Sequence, residues 1–262
     1  MPTIEENLNF SNEWRQSGDA WSIPWGGTDI EWYSMIFPRI CAFVPAGTIL
    51  EIGPGHGRWT KFLANLCKDL ILVDLSDECI KVCKEIFKPY SHITYYTNDG
   101  KSLDMIADAS LDFVFSFDSL VHAEEDVIEA YLSQLSKKMK RNSIGFIHHS
   151  NIGAYKISFG LSRKIIKGRI RNILIKLGII EDKDHWRAHS MTAAKFKKYA
   201  EKAGLKCISQ ELITWSTKRL LIDCISVCAR EDSGFASRGV VENRAFMKEA
   251  RYFARLYKFY GR

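Results

Sequence analysis

ILEIGPGHGRW, residues 49–59, decides the reading of this chain. A short apolar run ends in three glycines, and bulky residues follow. The pattern predicts a buried strand, a tight turn and a helix. Gly53, Gly55 and Gly57 clear side chains from the backbone where it turns and where a ligand approaches closely. Many nucleotide-binding sheets use a glycine-rich turn between strand and helix. Here the spacing is G-x-G-x-G rather than the G-x-G-x-x-G of dinucleotide sites, and an acid, Glu51, precedes it on the strand. A pyrophosphate gains nothing from a carboxylate there, whereas a ligand with an ammonium group does.

Working outward, the chain alternates apolar strands with helical spacing. Thr48–Ile52 is the first strand, followed by a helix over 58–67. Leu70–Asp74 is the second, and a helix over Asp77–Phe87 follows with Ser76 as its cap. His92–Thr97 and Leu111–Phe117 are the third and fourth. A helix over Ala123–Lys140 leads to a fifth strand, Ile144–His149. After Thr192–Ala203, a helix closed by Gly204, come two strands, Lys206–Trp215 and Leu220–Arg230. This alternation predicts an α/β fold: a seven-stranded, mostly parallel, doubly wound sheet with a reversed C-terminal hairpin and helices on both faces.

The segments around this core differ in chemistry. Residues 1–47 form an N-terminal helical and aromatic cap: a polar lead-in, then Trp21, Trp25, Trp32 and Tyr33, then a helix over 28–44. The core comprises 48–151 and 190–230. Residues 152–189 are a basic helical insert or lid; the stretch GAYKISFGLSRKIIKGRIRNILIKLGII within them has seven Lys/Arg and no acid. Residues 231–262 are read as a C-terminal basic helix. Residues 1–150 carry a net charge of −8 and residues 151–262 a net of +14. Such asymmetry bears on partners rather than on fold.

Hydrophobic residues make up 46% of the 262 and charged residues 26%, which excludes a disordered or low-complexity chain. No run of about 18 uncharged apolar residues is present to span a bilayer, and MPTIEENLNFSNEWRQ lacks a secretory pattern. The seven cysteines lack zinc spacing and read as free thiols of a reducing cytoplasm. A cytoplasmic protein is expected, with the inner membrane surface as a second place if the basic insert is an amphipathic surface helix.

Three acids fall at the ends of successive strands: Glu51, Asp74 in LILVDLS, and Asp99 in NDG. All lie at the carboxyl edge of the sheet, where open sheets bind ligands. Asp74 suits the two hydroxyls of a ribose, and Asp99-Gly100 suits an adenine amino group.

With these motifs in hand, residues 48–150 resemble the class I S-adenosylmethionine-dependent methyltransferases. The resemblance rests on EIGPGHG, VDLS, NDGKSL and the segment from Leu111 to Ile147, and MTAAKFKKYAEKAGL extends it toward the terminal hairpin. It implies S-adenosyl-L-methionine as cofactor, bound by Glu51, Gly53, Gly55, Gly57, Asp74, Leu75, Asp99 and Gly100, with Ser116 and Phe117 beside its methionine part. The pair Arg58-Trp59 is bulkier than the small residues common after such glycines.

Polar candidates for the chemistry cluster after strands four and five. His149 is the favoured base, His148 the next, because consecutive strand residues face opposite sides. Asp118 orients a base or binds acceptor hydroxyls, and His122 follows four residues on. No metal is expected, since magnesium prefers carboxylates to imidazole. Trp21, Trp25, Asn151, His185, Arg187 and His189 are read as the acceptor site, with Arg187 as a fork for an anion. The expected reaction is methyl transfer to a hydroxyl of a polar, anionic acceptor: a sugar, a nucleotide-linked sugar or a surface polysaccharide. Other small-molecule O- or N-methylation, RNA methylation, non-catalytic nucleotide binding and nicotinamide chemistry are the alternatives. A small-molecule or glycan partner is expected, DNA is not, and peripheral membrane contact and a homo-oligomer are left open.

Overall fold

The computed structural model describes residues 3–12, 18–155, 186–215 and 220–260. Most of the basic insert lies outside them.

One sheet carries the fold. Its strands are β1 (Ala46–Ile52), β2 (Cys67–Asp74), β3 (Ile93–Thr97), β4 (Leu111–Ser116), β5 (Met139–Ser150), β6 (Leu205–Ile213), β7 (Asp223–Arg230) and β8 (Gly239–Asn243). They lie in the order β3-β2-β1-β4-β5-β7-β6-β8. The first five are parallel, and β7 runs antiparallel to both β5 and β6. The reversed hairpin is therefore present. The sheet has an eighth strand, however: β8 pairs parallel to β6 at the edge. The segment read as one basic helix from 231 contains this strand, and the helix begins only at Phe246.

Helices α1 (Ile4–Asn12), α2 (Thr28–Glu31), α3 (Phe37–Ile40), α4 (Thr60–Leu63), α5 (Asp77–Ile86), α6 (Glu125–Lys138), α7 (Ala193–Lys202) and α8 (Phe246–Tyr260) surround the sheet. Between α2 and α3 the helix opens into a π turn, Trp32–Ile36. Pro38, at the start of α3, supplies the cause: it has no N–H and its ring crowds the carbonyl four residues back, so the ladder widens there. Ser76 caps α5 by accepting the Cys79 N–H, and Thr192 caps α7 by accepting that of Lys195.

Two apolar layers cover the sheet. On one face Trp32, Trp59, Phe113, Phe115 and Phe146 pack together. On the other, Leu50, Val114 and Ile147 meet Ile128 and Leu132 of α6 and Phe196 of α7. Strand alternation sorts the two histidines of β5 between these layers. His148 faces the aromatic layer and His149 faces α7.

Candidate functional site

The glycine turn leaves β1 through three residues of positive φ: Gly53 at 72°, Gly55 at 56° and Gly57 at 80°. At Gly53 an added Cβ would sit 1.9 Å from the Ser119 hydroxyl, and at Gly57 2.3 Å from the Phe87 ring. Only glycine fits these places. The turn opens onto a cavity of about 1050 Å³. This stands at the upper end of the ~300–1,000 Å³ of pockets that hold a drug-sized ligand.

Asp74, at the tip of β2, lines the cavity. Its carboxylate accepts the N–H groups of Gly55 at 3.1 Å and Ser76 at 2.9 Å, which ties strand to turn. Burial raises its pKa. Leu75, Gly53, Gly55, Gly100 and Phe117 share the wall. Tyr131 of α6 joins them, its hydroxyl accepting from Asn98 at 3.0 Å. No sequence motif marked Tyr131; only the docking of α6 brings it here.

The other two acids sit differently. Glu51 lies beneath the glycine turn and is 1% exposed. One carboxyl oxygen accepts the Thr60 hydroxyl at 2.6 Å, and the other is buried without a hydrogen-bond partner among the described residues. Burial pushes its pKa up to about 8. It is thus protonated at neutral pH and lies behind the cavity wall, not the carboxylate facing an ammonium that its position suggested. Asp99 is exposed and closes its own turn, accepting the N–H groups of Lys101 and Ser102. Gly100 (φ 82°) reaches the cavity in its place, beneath Ile4 of α1. Ser116 is wholly buried and donates to the Ile52 carbonyl at 2.9 Å, so it splices β4 to β1. Gly57 packs under Phe87 and does not line the space.

Among the described residues two histidines line the cavity, His56 of the glycine turn and His122 after β4, and neither is the one favoured from sequence. His149 is fully buried on the opposite layer, stacked on Phe196 with ring centroids 4.4 Å apart. Its nitrogens meet the Ser226 hydroxyl at 2.8 Å and the Ser150 carbonyl at 2.9 Å. Burial lowers its pKa to about 4. It is a core histidine. His148 is equally buried, packed between Phe117 and Trp215. It accepts the Asp118 N–H and meets Asp223, so it acts on the site through Asp118.

His122 does line the cavity. Its Nδ1 meets the Trp186 carbonyl. A carbonyl only accepts, so Nδ1 carries the proton and Nε2 keeps a lone pair. Burial, aided by the charge of Arg187, brings its pKa down to about 4, which keeps the ring neutral.

Asp118 lines the cavity between two guanidiniums, Arg58 at 2.8 Å and Arg187 at 3.6 Å. Burial would raise its pKa, but the two cations hold it below the ordinary value. Arg187 in turn grips Asp223 in a bidentate pair at 3.0 and 3.1 Å. Arg187 lines the cavity as expected, with Nε and one terminal nitrogen of its fork engaged by a carboxylate of the same chain. Arg58, the bulky residue after the glycines, lies over the Trp59 ring at 4.4 Å.

Trp21 and Trp25 line the cavity as expected. Phe10, Trp186 and Trp215 are added to them. Phe10 of α1 sits 6.3 Å from Trp21 and 6.0 Å from Trp186, and Trp25 lies 4.6 Å from Trp215. The polar lead-in thus supplies a helix to the wall. Asn151 is away from the cavity: it clamps the Leu221 carbonyl and the Ala193 N–H. His189 does not line it either, and His185 lies outside the described residues.

Residues 49–142 match a sequence family described as a methyltransferase domain. Over 118 residues the chain is 35% identical to phosphoethanolamine N-methyltransferase 1 of Triticum aestivum, covering 43% of this chain and 24% of that one. The chain spans about a quarter of the length of the curated relatives it matches. Among solved structures, the DhpI–SAH complex superposes with a TM-score of 0.57 at 17% identity, covering 87% of this chain and 97% of that one. An S-adenosylmethionine-dependent methyltransferase from Clostridium acetobutylicum gives 0.55 at 13% identity, covering 79% and 91%. The bare glycine turn and the Asp74 tip fit S-adenosylmethionine as cofactor.

Proposed function

Because the chain carries a class I S-adenosylmethionine-dependent methyltransferase domain, we propose that it transfers a methyl group to a hydroxyl of a polar small molecule or glycan. When bound, the cofactor supplies a methyl group already activated on a sulfonium. The protein's work is then alignment and exclusion of water, and orientation of this kind contributes up to about 7–11 kcal/mol.

One observation carries the hydroxyl reading: His122 is a neutral imidazole in the cavity wall, with Nδ1–H committed to Trp186 and Nε2 left as an acceptor. With the cofactor bound, Nε2 would accept the acceptor's O–H and take its proton as the oxygen bonds to the methyl carbon and the methyl–sulfur bond breaks. The tryptophan wall suits a sugar face. The anionic character expected of the acceptor draws less on Arg187, whose fork already pairs with Asp223, than on the basic segment outside the described residues.

A second reading, methylation of an amine, draws on the same aromatic wall, because indole faces attract alkylammonium groups. The wheat relative's name points the same way. Transfer of labelled methyl from S-adenosylmethionine to panels of sugars, nucleotide-linked sugars and ethanolamine-type amines decides between them. Label in sugars supports the first reading, and label confined to amines replaces it with the second. No label in any panel, with no heat on titrating S-adenosylhomocysteine, ends both.

A further inference from the structure

Helix α8 starts inside the protein and ends outside it. Phe246 and Ala250 are buried. Phe246 packs on Trp215 at 5.8 Å, and Ala254 rests against Gly26. Helical spacing continues that stripe through Phe253, Tyr257 and Tyr260, yet these are 40%, 51% and 81% exposed. Tyr252 and Phe259 flank it at 60% and 78%. Five aromatic side chains therefore face solvent within nine residues, on a helix whose seat has ended. Isolated exposed apolar residues need no account, but a contiguous aromatic patch marks a contact.

The charges on α8 name the occupant. Lys248, Arg251, Arg255 and Lys258 follow the spacing 3, 4, 3 and so form one stripe, all exposed. The helix has a single acid, Glu249. None of the four cations has an ion pair among the described residues, whereas Lys81, Lys101, Lys138, Lys140 and Lys202 each bridge to an acid. Tyrosines and other aromatics settle at headgroup level, and unpaired Lys/Arg seek anionic lipid. A helix with both stripes and no length to span lies in the interfacial plane. Among the described residues no helix is long and apolar enough to cross a membrane.

We propose that α8 docks this protein on an anionic lipid bilayer surface. The helix is rooted on Trp215, which packs on Trp25, and both tryptophans line the cavity. The lipid contact and the acceptor end therefore share one aromatic stack. The docking stands independently of the methyl-transfer chemistry.

The test is co-sedimentation of the full chain with vesicles of phosphatidylcholine alone and of equal parts phosphatidylcholine and phosphatidylglycerol, at low and high salt. Two double variants accompany it, Phe259→Ser with Tyr260→Ser and Arg255→Glu with Lys258→Glu, each checked for native circular dichroism. The wild type is expected to pellet with the anionic vesicles, to release at high salt and to stay in solution with the neutral ones. Each cation contributes about five-fold to the partition coefficient, so the charge variant drops by about 25-fold or more. The aromatic variant drops at least ten-fold. Equal pelleting of wild type and both variants places any lipid contact elsewhere and overturns the proposal. So does failure of the wild type to bind. A concentration-dependent dimer that the variants abolish, without vesicle binding, assigns the patch to a second copy and also overturns it.

Discussion

The backbone N–H of Asp118 donates to Nδ1 of the buried His148 across 3.2 Å. Nε2 of that ring therefore carries the proton and faces Asp223 at 3.3 Å. Arg187 holds Asp223 from the other side and reaches Asp118 at 3.6 Å, which closes the circuit. Asp118 is thereby kept at a φ of 63°, where few residues other than glycine settle. Such a conformation costs of order 1–3 kcal/mol and persists only when its surroundings fix it. The circuit joins the end of β4, β5, β7 and the last residues of the insert at one point of the cavity wall.

Arg187→Met is expected to destabilise the fold by about 3–5 kcal/mol, because it leaves the Asp223 carboxylate buried with one partner fewer. Arg187→Met with Asp223→Leu removes the orphaned charge and should recover most of that loss. Urea unfolding midpoints of the two single variants and the double variant measure it. If the double variant is as unstable as the sum of the singles, the pair is not coupled as the geometry indicates.

His122→Ala and His149→Leu set the histidine of the cavity wall against the one that the sequence favoured as base. The first is expected to lower methyl transfer by about 10²–10⁴-fold while leaving the affinity for S-adenosylhomocysteine intact. The second removes buried hydrogen bonds to Ser226 and Ser150, costing on the order of 2 kcal/mol of stability, with turnover per folded molecule unchanged. A single-turnover assay alongside calorimetry reads both. Loss of turnover only in His149→Leu would restore that residue as the base.

His148 and His149 show where sequence reading stopped. Alternation stated that His148 and His149 face opposite layers, and so they do. It was silent on which layer holds the cavity, since the coverage by α7 and Trp215 comes from residues far along the chain. The strand, glycine turn and helix were legible because each is a local pattern closed by its own glycine, cap or apolar period. Asp223 as the partner of Arg187 was not, because 36 residues and a strand reversal separate them. β8 was missed because GVVEN is short and exposed, with nothing but edge pairing to make it a strand. Helix α1 was missed because its contacts to Gly100, the His122 carbonyl and Trp186 are all distant in sequence.

Gly53→Ala is expected to abolish binding of S-adenosylhomocysteine at concentrations that saturate the wild type. The added methyl enters the space of the Ser119 side chain, and the φ of 72° disfavours any Cβ. Gly204→Ala is the control, since its φ of 79° is equally strained but none of the described residues lies within 4 Å of the added atom. It should lose stability by about 1 kcal/mol and keep its affinity. Calorimetric titration of both distinguishes a blocked cradle from a generally strained backbone.

Glu51→Gln is expected to flatten the alkaline side of the stability profile. The native Glu51 carboxyl titrates at about 8 against an ordinary 4.5, so the folded chain holds a proton that the unfolded chain gives up. Stability from that proton is complete below the ordinary pKa and is lost as pH rises through about 8. His149 runs the other way: its native pKa of about 4 lies below the ordinary 6.5, so its contribution is complete above 6.5 and is lost as pH falls toward 4. Above pH 6.5 the histidine no longer changes, and the decline belongs to carboxyls that burial raises: Glu51, Asp74 and Glu31, the last to about 7. Between pH 6.5 and 8 Glu51 alone accounts for about 2 kcal/mol of it. Glutamine keeps the oxygen that accepts from Thr60 and cannot ionise. Urea unfolding at the two pH values should therefore show the variant losing about 2 kcal/mol less than the wild type. Identical losses would mean that Glu51 is already ionised in the native protein, and a carboxylate would then stand behind the glycine turn after all.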